Sequence, residues 1–404
     1  MAILAALFFV TPSLWAQMAG PGKGNIKVGP VEVHPFVGVA ETYNDNIYQS
    51  YGGLKKESDY ITTLSPGIQL LLPVRRHSFQ LDYRADMNWY AKNDETNYTN
   101  QTGGGAINLE FPGGLNFSIS NYYSDAVIPR KGKEVTGISG AADANRELPY
   151  NANDFNARAK YRFVDRWAAE VRYNNYDYRY KQAIDEDGTF NRNLYGGSLY
   201  YRFTPKVDAL VDYNYSTVDY KTTPINDNTN HSAYLGLSFD PTAKLNGYLK
   251  LGWAEKDYEE DQPGRTKSFS AFSTLVDLTY NMSRYHILTL KGNRIIEEDV
   301  DTNAPFTTTD FSLGYRHFLA WNEKVSLNAN LGYGTKKFEK ATTDADGTLK
   351  IRDDKKWYGG AGIGYAPQRW LSLGLNYTYT RDKSNFINYD YKENKVILSA
   401  LIAF

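Results

Sequence analysis

The sequence contains no cysteine among its 404 residues. That excludes disulfides, thiolate metal sites, thioether haem attachment and cysteine nucleophiles. Long apolar runs are also missing. The one near the N-terminus, Ala2 to Val10, is too short to span a bilayer as a helix, and no later run approaches the required length. Charge of one sign is absent as well. Lys and Arg number 45 against 46 Asp and Glu, so no global basic signature of nucleic-acid binding exists. The five histidines, His34, His77, His231, His286 and His317, form no ligand-spaced pair, so no metal or other cofactor is expected. No phosphate loop, dinucleotide fingerprint or serine-nucleophile motif occurs, and the expectation is a protein that is not an enzyme. DEDG (185–188) and DADG (344–347) begin like calcium loops, but the position that needs a glutamate holds Gly196 in one and Lys355 in the other. Both read as turn tips.

What the chain has instead is alternation. In LSLGLNYTYT (371–380), Leu371, Leu373, Leu375, Tyr377 and Tyr379 share one parity, and small polar residues share the other. A strand sends successive side chains to opposite faces, so this segment has one apolar face and one polar face. The same pattern recurs in LDYRADMNWY, FNARAKYRF, VDALVDYNY and VSLNANLGY, and about 18 such segments run from Val31 to Phe404. Aromatics make up 15% of the chain, with 34 tyrosines, as half-buried strands favour. Mean hydropathy is only −0.55, which still allows membrane crossing if alternate residues alone meet lipid.

The connections alternate in length. Short ones fall at 72–78, 111–115, 163–167, 203–207, 239–245, 281–285, 319–325 and 366–370; long charged ones at 128–151, 181–191, 256–267 and 340–356. Outer-membrane barrels sort their loops in this way, with short periplasmic turns and longer extracellular loops. The fold expected is therefore all-β: a transmembrane antiparallel barrel of about 18 strands over 31–404. Residues 1–19 read as a signal peptide, with a breaker at Thr11–Pro12 and cleavage between 16 and 20, although its start lacks Lys and Arg. Residues 20–30 read as a flexible periplasmic lead. Gram-negative outer membrane, with the N-terminus periplasmic, is the expected address. Outer-membrane lipid and the barrel assembly machinery are then the expected partners. The final strand ends in Phe404, with Ile402 and Leu398 on its face, and resembles the C-terminal signal read by that machinery.

Charged residues on the polar parity must face water, since each Lys or Arg turned to lipid near the midplane costs about 2–4 kcal/mol. The lumen-lining set is Asp82, Arg84, Asp86, Arg158, Lys160, Arg162, Glu170, Arg172, Arg202, Asp208, Asp212, Lys250, Lys291 and Arg316. Cations from successive strands suggest a basic wall that favours an anionic solute. A salt-bridged ladder through Glu170, Asp208 and Asp212 is the plainer reading. Gly360, Gly362 and Gly364 share the inward parity and leave either clearance or a packing surface. Tyr122, Tyr176, Tyr178, Tyr180, Tyr200 and Tyr248 stand on polar faces as strand formers or as platforms for sugar rings.

HPFVGVAETYNDNIYQS (34–50) followed by SDYITTLSPGIQLLL (58–72) resembles the opening of a bacterial outer-membrane β-barrel porin family associated with exopolysaccharide and capsule secretion. Tyr43, Asn44, Asp45, Asn46 and Ile47 supply its first motif, and Asp59, Ile61, Thr62, Pro66 and Gly67 its second. The resemblance implies a conduit for polysaccharide, with separate periplasmic polysaccharide-export proteins as partners. A sheath around a multihaem cytochrome and a general porin are the alternatives. A long inward loop at 128–151 is the candidate constriction of such a pore.

Overall fold

The structure, a computed structural model, describes residues 26–51, 55–129, 147–260, 265–299, 304–344 and 346–404. The leader, most of the lead and most of the 128–151 loop lie outside the described residues. A three-residue strand β1 (Ile26–Val28) pairs back on β2 (Val31–Asn44), so this end of the lead is ordered into a hairpin. There follow β3 (Asp59–Val74), β4 (His77–Tyr90), β5 (Tyr98–Glu110), β6 (Leu115–Ile128), β7 (Leu148–Val164), β8 (Trp167–Tyr180) and β9 (Phe190–Thr204). Next come β10 (Val207–Tyr220), β11 (Asn228–Phe239), β12 (Leu245–Tyr258), β13 (Ser268–Asn281) and β14 (His286–Asp299). The last five are β15 (Ala304–Leu319), β16 (Asn322–Thr343), β17 (Leu349–Gln368), β18 (Leu371–Ser384) and β19 (Tyr391–Ala403).

Each strand pairs antiparallel with the next, and β19 pairs with β2 from Lys395↔Asn44 to Ala403↔Phe36. Eighteen strands, β2 to β19, therefore form a closed antiparallel barrel. Closure removes the sheet edge, which is what a strand protein needs where no water can satisfy the backbone. The exterior then carries what a water-facing surface would not. Leu81, Val171, Leu235, Leu331 and Leu398 are each 61–72% exposed. In 371–380, Leu373, Leu375 and Tyr377 are exposed while Gly374 is buried on the opposite parity. Trp167, Trp370, Phe163 and Phe203 ring the turn end, all exposed, and Phe239 is half-buried there.

Both termini of the barrel lie at the turn end, where several connections shrink to two residues, such as Arg75–Arg76 and Asp165–Arg166. The Phe111–Leu115 turn needs its glycines. Gly113 and Gly114 take φ of +90° and +88°, and a Cβ at Gly114 would sit 3.1 Å from the Arg162 carbonyl. At the other end, 340–356 proves to be mostly strand, since β16 and β17 run to 22 and 20 residues. Above the lipid both faces meet water, so both carry charge and the apolar alternation that marks a strand disappears.

Two substitutions separate the faces. Leu375→Arg, on the exposed parity, should lower the unfolding free energy in lipid by about 2–4 kcal/mol. Thr380→Arg, on the inner parity and paired with Glu393, should cost far less. Urea titration of the refolded barrel in vesicles, read by heat-modifiable gel mobility, checks both.

Candidate functional site

The interior is built from the inward parity of each strand. On β7, β8, β10 and β12 the expected charges meet in one chain of alternating sign. Arg158 donates to Glu170 at 2.5 Å, and Arg172 donates to the other oxygen of Glu170 at 2.8 Å. Arg172 also pairs with Asp212, whose second oxygen takes Lys250 Nζ at 2.6 Å. Ser198 and Asn214 accept from the same guanidinium at 2.7 and 2.8 Å. One step toward the turns, Asp208 bridges Arg162 at 3.2 Å and Arg202 at 2.9 Å. Lys160 lies 3.7 Å above the Tyr200 ring. The side chains of Glu170 and Asp212 are each only 2% exposed. Of the two readings of these cations, the ladder is the observed geometry. Five cations pair with three carboxylates and Lys160 adds a sixth over the Tyr200 ring, so the cluster keeps a positive excess.

The remaining predicted charges are separate from this ladder. Asp82 accepts from Gln69, Gln80 and the Tyr122 hydroxyl, while Arg84 pairs with Asp86 at 2.6 Å. Lys291 reaches Asp277 at 3.8 Å, and Arg316 donates to Asn328 at 2.9 Å. Leu398, Ile402 and Phe404 stand exposed on the outer parity of β19. The Phe404 amide bonds to the Pro35 carbonyl at 3.0 Å and its ring stacks 6.2 Å from Trp370.

The feature that sequence reasoning missed is the loop end of β14 and β15. Pairing of β13 with β14 stops at Thr274↔Arg294, although β13 begins at Ser268. Beyond Arg294, β14 parts from β13 and leans over the inner face, while β15 stays paired with β16 as far as Phe306↔Phe338. Glu298 accepts from the inward side chains of three more distant strands: Tyr220 at 3.3 Å, Asn228 at 3.1 Å and Lys256 at 3.3 Å. Ser273 pins the bend, donating to the Arg294 carbonyl at 2.7 Å, and Thr308 donates to Glu297. Phe306 stacks on Phe338 at 4.6 Å. Glu297 and Phe306 are 1% and 2% exposed, so these arms of the hairpin are lodged in the interior. A signal for this exists in the sequence. Ile295–Ile296–Glu297–Glu298 breaks the alternation that β14 keeps up to Arg294.

On the far wall the inward positions Ser326, Asn328 and Asn330 of β16, Gly360, Gly362 and Gly364 of β17, and Gly374, Asn376 and Thr378 of β18 carry no charge. The inward glycines are spaces for neighbouring amides and hydroxyls rather than open clearance. A Cβ at Gly362 would lie 2.0 Å from Asn376 Oδ1, and one at Gly364 would lie 2.7 Å from Ser326 Oγ. The tyrosines also divide. Tyr176 and Tyr178 are buried in a cluster with Tyr150, Phe190, Val218 and Tyr220, and Tyr200 is covered by the ladder, so these rings pack the wall. Tyr248 stays exposed.

The two family-like motifs form a knot where β19 meets β2. Asn46 donates to the carbonyls of Ser50 and Lys392 and accepts from the Ser50 amide. Asp45 accepts the backbone and side-chain N–H groups of Asn394, each at 2.7 Å. Burial works to raise the Asp45 carboxyl, but these hydrogen bonds and Lys56 outweigh it and hold the group below the usual carboxylate range. Asp59 accepts from the amides of Lys92 and Asn93 and so ties the next loop to the same seam. These residues have a closing role that spacing alone did not reveal. His286 and His317, 31 residues apart and unpaired on sequence grounds, face each other across β14 and β15 with rings 4.6 Å apart. No group of three or more metal-ligating side chains occurs among the described residues.

Arg172→Met should lower the unfolding free energy by about 3–5 kcal/mol, because it leaves two buried carboxylates short of a partner. Adding Glu170→Gln and Asp212→Asn should recover most of the loss, measured by the same vesicle titration.

Comparison with solved structures finds likeness at low identity. An outer-membrane protein, OpdK of Pseudomonas aeruginosa, is 12% identical, with 92% of this chain and 99% of that one covered at a TM-score of 0.48. OccK2 (OpdF) of the same organism is 11% identical, covering 93% and 98% at 0.49. The FrpB iron transporter of Neisseria meningitidis is 9% identical, covering 91% and 63% at 0.47. A search of curated proteins found no match. The family model described as "Putative beta-barrel porin 2" matches residues 22–404, the whole barrel. With its closed sheet, lipid-type exterior and charged interior, the chain belongs to this family of β-barrel porins.

Proposed function

We propose that the protein is a passive channel for polar, polyhydroxylated solutes, with saccharide chains of the exopolysaccharide kind as the substrate class. As a member of a porin family it is a channel protein rather than an enzyme. The observation that carries the finer reading is the division of the interior. One wall holds paired charge with a positive excess, and the other offers the amides and hydroxyls of Asn328, Asn330, Asn376 and Thr378. Such a surface exchanges hydrogen bonds with a sugar without trapping it, as conduction requires. The inward hairpin supports a selective pore over a sheath around a folded cytochrome, because protein from the chain itself already occupies part of the mouth. In this reading the turn end and N-terminus face the periplasm and the loops face outward. Phe404, Ile402 and Leu398 serve barrel assembly, and delivery of a polymer falls to a separate periplasmic partner.

Planar-bilayer recording tests the reading. Discrete conductance should be blocked by oligosaccharides, and by anionic ones at lower concentration. Arg158→Gln with Lys160→Gln removes the surplus cations while Arg172 keeps its pair with Glu170, and should shift ion selectivity toward cations. Conductance indifferent to every oligosaccharide would sink the saccharide reading while leaving a general porin.

A further inference from the structure

Cations on the exterior are distributed unevenly, and one sector of the loop end carries an excess of them, with Asp353 as the carboxylate on the same outward parity of β17. In the hydrogen-bonding row Tyr333↔Trp357↔Arg381↔Lys392, two outward aromatics are followed by two outward cations. The next row toward the loops, Thr335↔Lys355↔Lys383, adds two more. Lys355, Arg381, Lys383 and Lys392 are all exposed. The ion pairs of these strands, Arg352–Asp354 and Lys395–Glu393, belong to the inward parity. On the outer wall at the loop end of β8 the cations have partners, Arg179–Asp177 and Lys181–Asp125, both at 2.5 Å.

Lys355 stands directly opposite Lys383, and Arg381 directly opposite Lys392. Like charges in such positions repel, so the sheet gains when an anion sits between them. The set begins level with Trp357 and Tyr333, which are 40% and 43% exposed and belong to the belt where aromatic rings mark the membrane interface. An anion placed there is a lipid headgroup rather than a solute, because apolar wall lies immediately beneath it. Two cation pairs in adjacent rows suit a head with more than one phosphate, and a guanidinium among them can hold a phosphate through two parallel hydrogen bonds.

We propose that the outer face of β17 to β19 at the loop end is a docking surface for phosphate-bearing lipid heads of the surrounding leaflet. The probe is a bisphosphorylated glucosamine lipid (lipid A), with its dephosphorylated form as the comparison. The purified full-length barrel in neutral detergent is titrated with each, and retained lipid is counted by native mass spectrometry. The phosphorylated lipid should be retained, and increasingly lost as salt rises. Arg381→Gln/Lys383→Gln/Lys392→Gln should weaken retention about a hundredfold, whereas Arg179→Gln/Lys181→Gln should leave it unchanged. Equal retention of the dephosphorylated lipid, salt-insensitive binding by the unaltered barrel, or full retention by the triple variant would overturn the proposal. The salt series needs no variant, so it decides even if a substituted barrel folds poorly.

Discussion

Barrel closure between β19 and β2 is the constraint on which everything else rests. Every other strand pairs with its chain neighbour, but this seam joins residues some 350 positions apart, as in the Asn44–Glu393 hydrogen bond. An open seam would leave a row of backbone donors and acceptors with no partner in hydrocarbon, each costing several kcal/mol. The knot of Asn44, Asp45, Asn46 and Asn394 at one end and the Phe404 contacts at the other fasten the two edges. Closure also fixes parity, and parity decides which charges meet water and which side chains meet lipid.

Given parity, the interior follows from electrostatics. Charges from four strands are brought within bonding distance on one concave wall, and deep burial of Glu170 and Asp212 is tolerated because each carboxylate has two cationic partners. Arg172 therefore belongs to the framework, joining Glu170 to Asp212. The hairpin beyond Arg294 uses the same logic. Glu298 can lie inside the barrel because Lys256, Asn228 and Tyr220 meet it there.

The sheet was legible because its period is two and lipid enforces that period strictly. The parity of Leu371 to Tyr379 and of Arg158 to Arg162 could be read directly from the residues. The loop-end strands were not, since water on both faces of 340–356 erases the contrast that marks a strand. Contacts across strands were equally hidden: nothing in the spacing of His286 and His317, or of Asn228 and Glu298, states that they touch. The inward turn of β14 left one trace, the broken alternation at Ile295–Ile296, which is meaningful only once the rest of the strand has been placed.

The central claim is a closed polar lumen narrowed by the chain's own β14–β15 hairpin. The absence of native cysteine makes it directly testable by cross-linking Asn228→Cys with Glu298→Cys in membranes. The account predicts that this pair oxidises as readily as Asn121→Cys with Asn153→Cys, a pair on adjacent strands whose side chains touch at 3.1 Å, and that the link leaves conductance near that of the unlinked barrel. Rapid formation of the adjacent-strand link with none between 228 and 298 would contradict it.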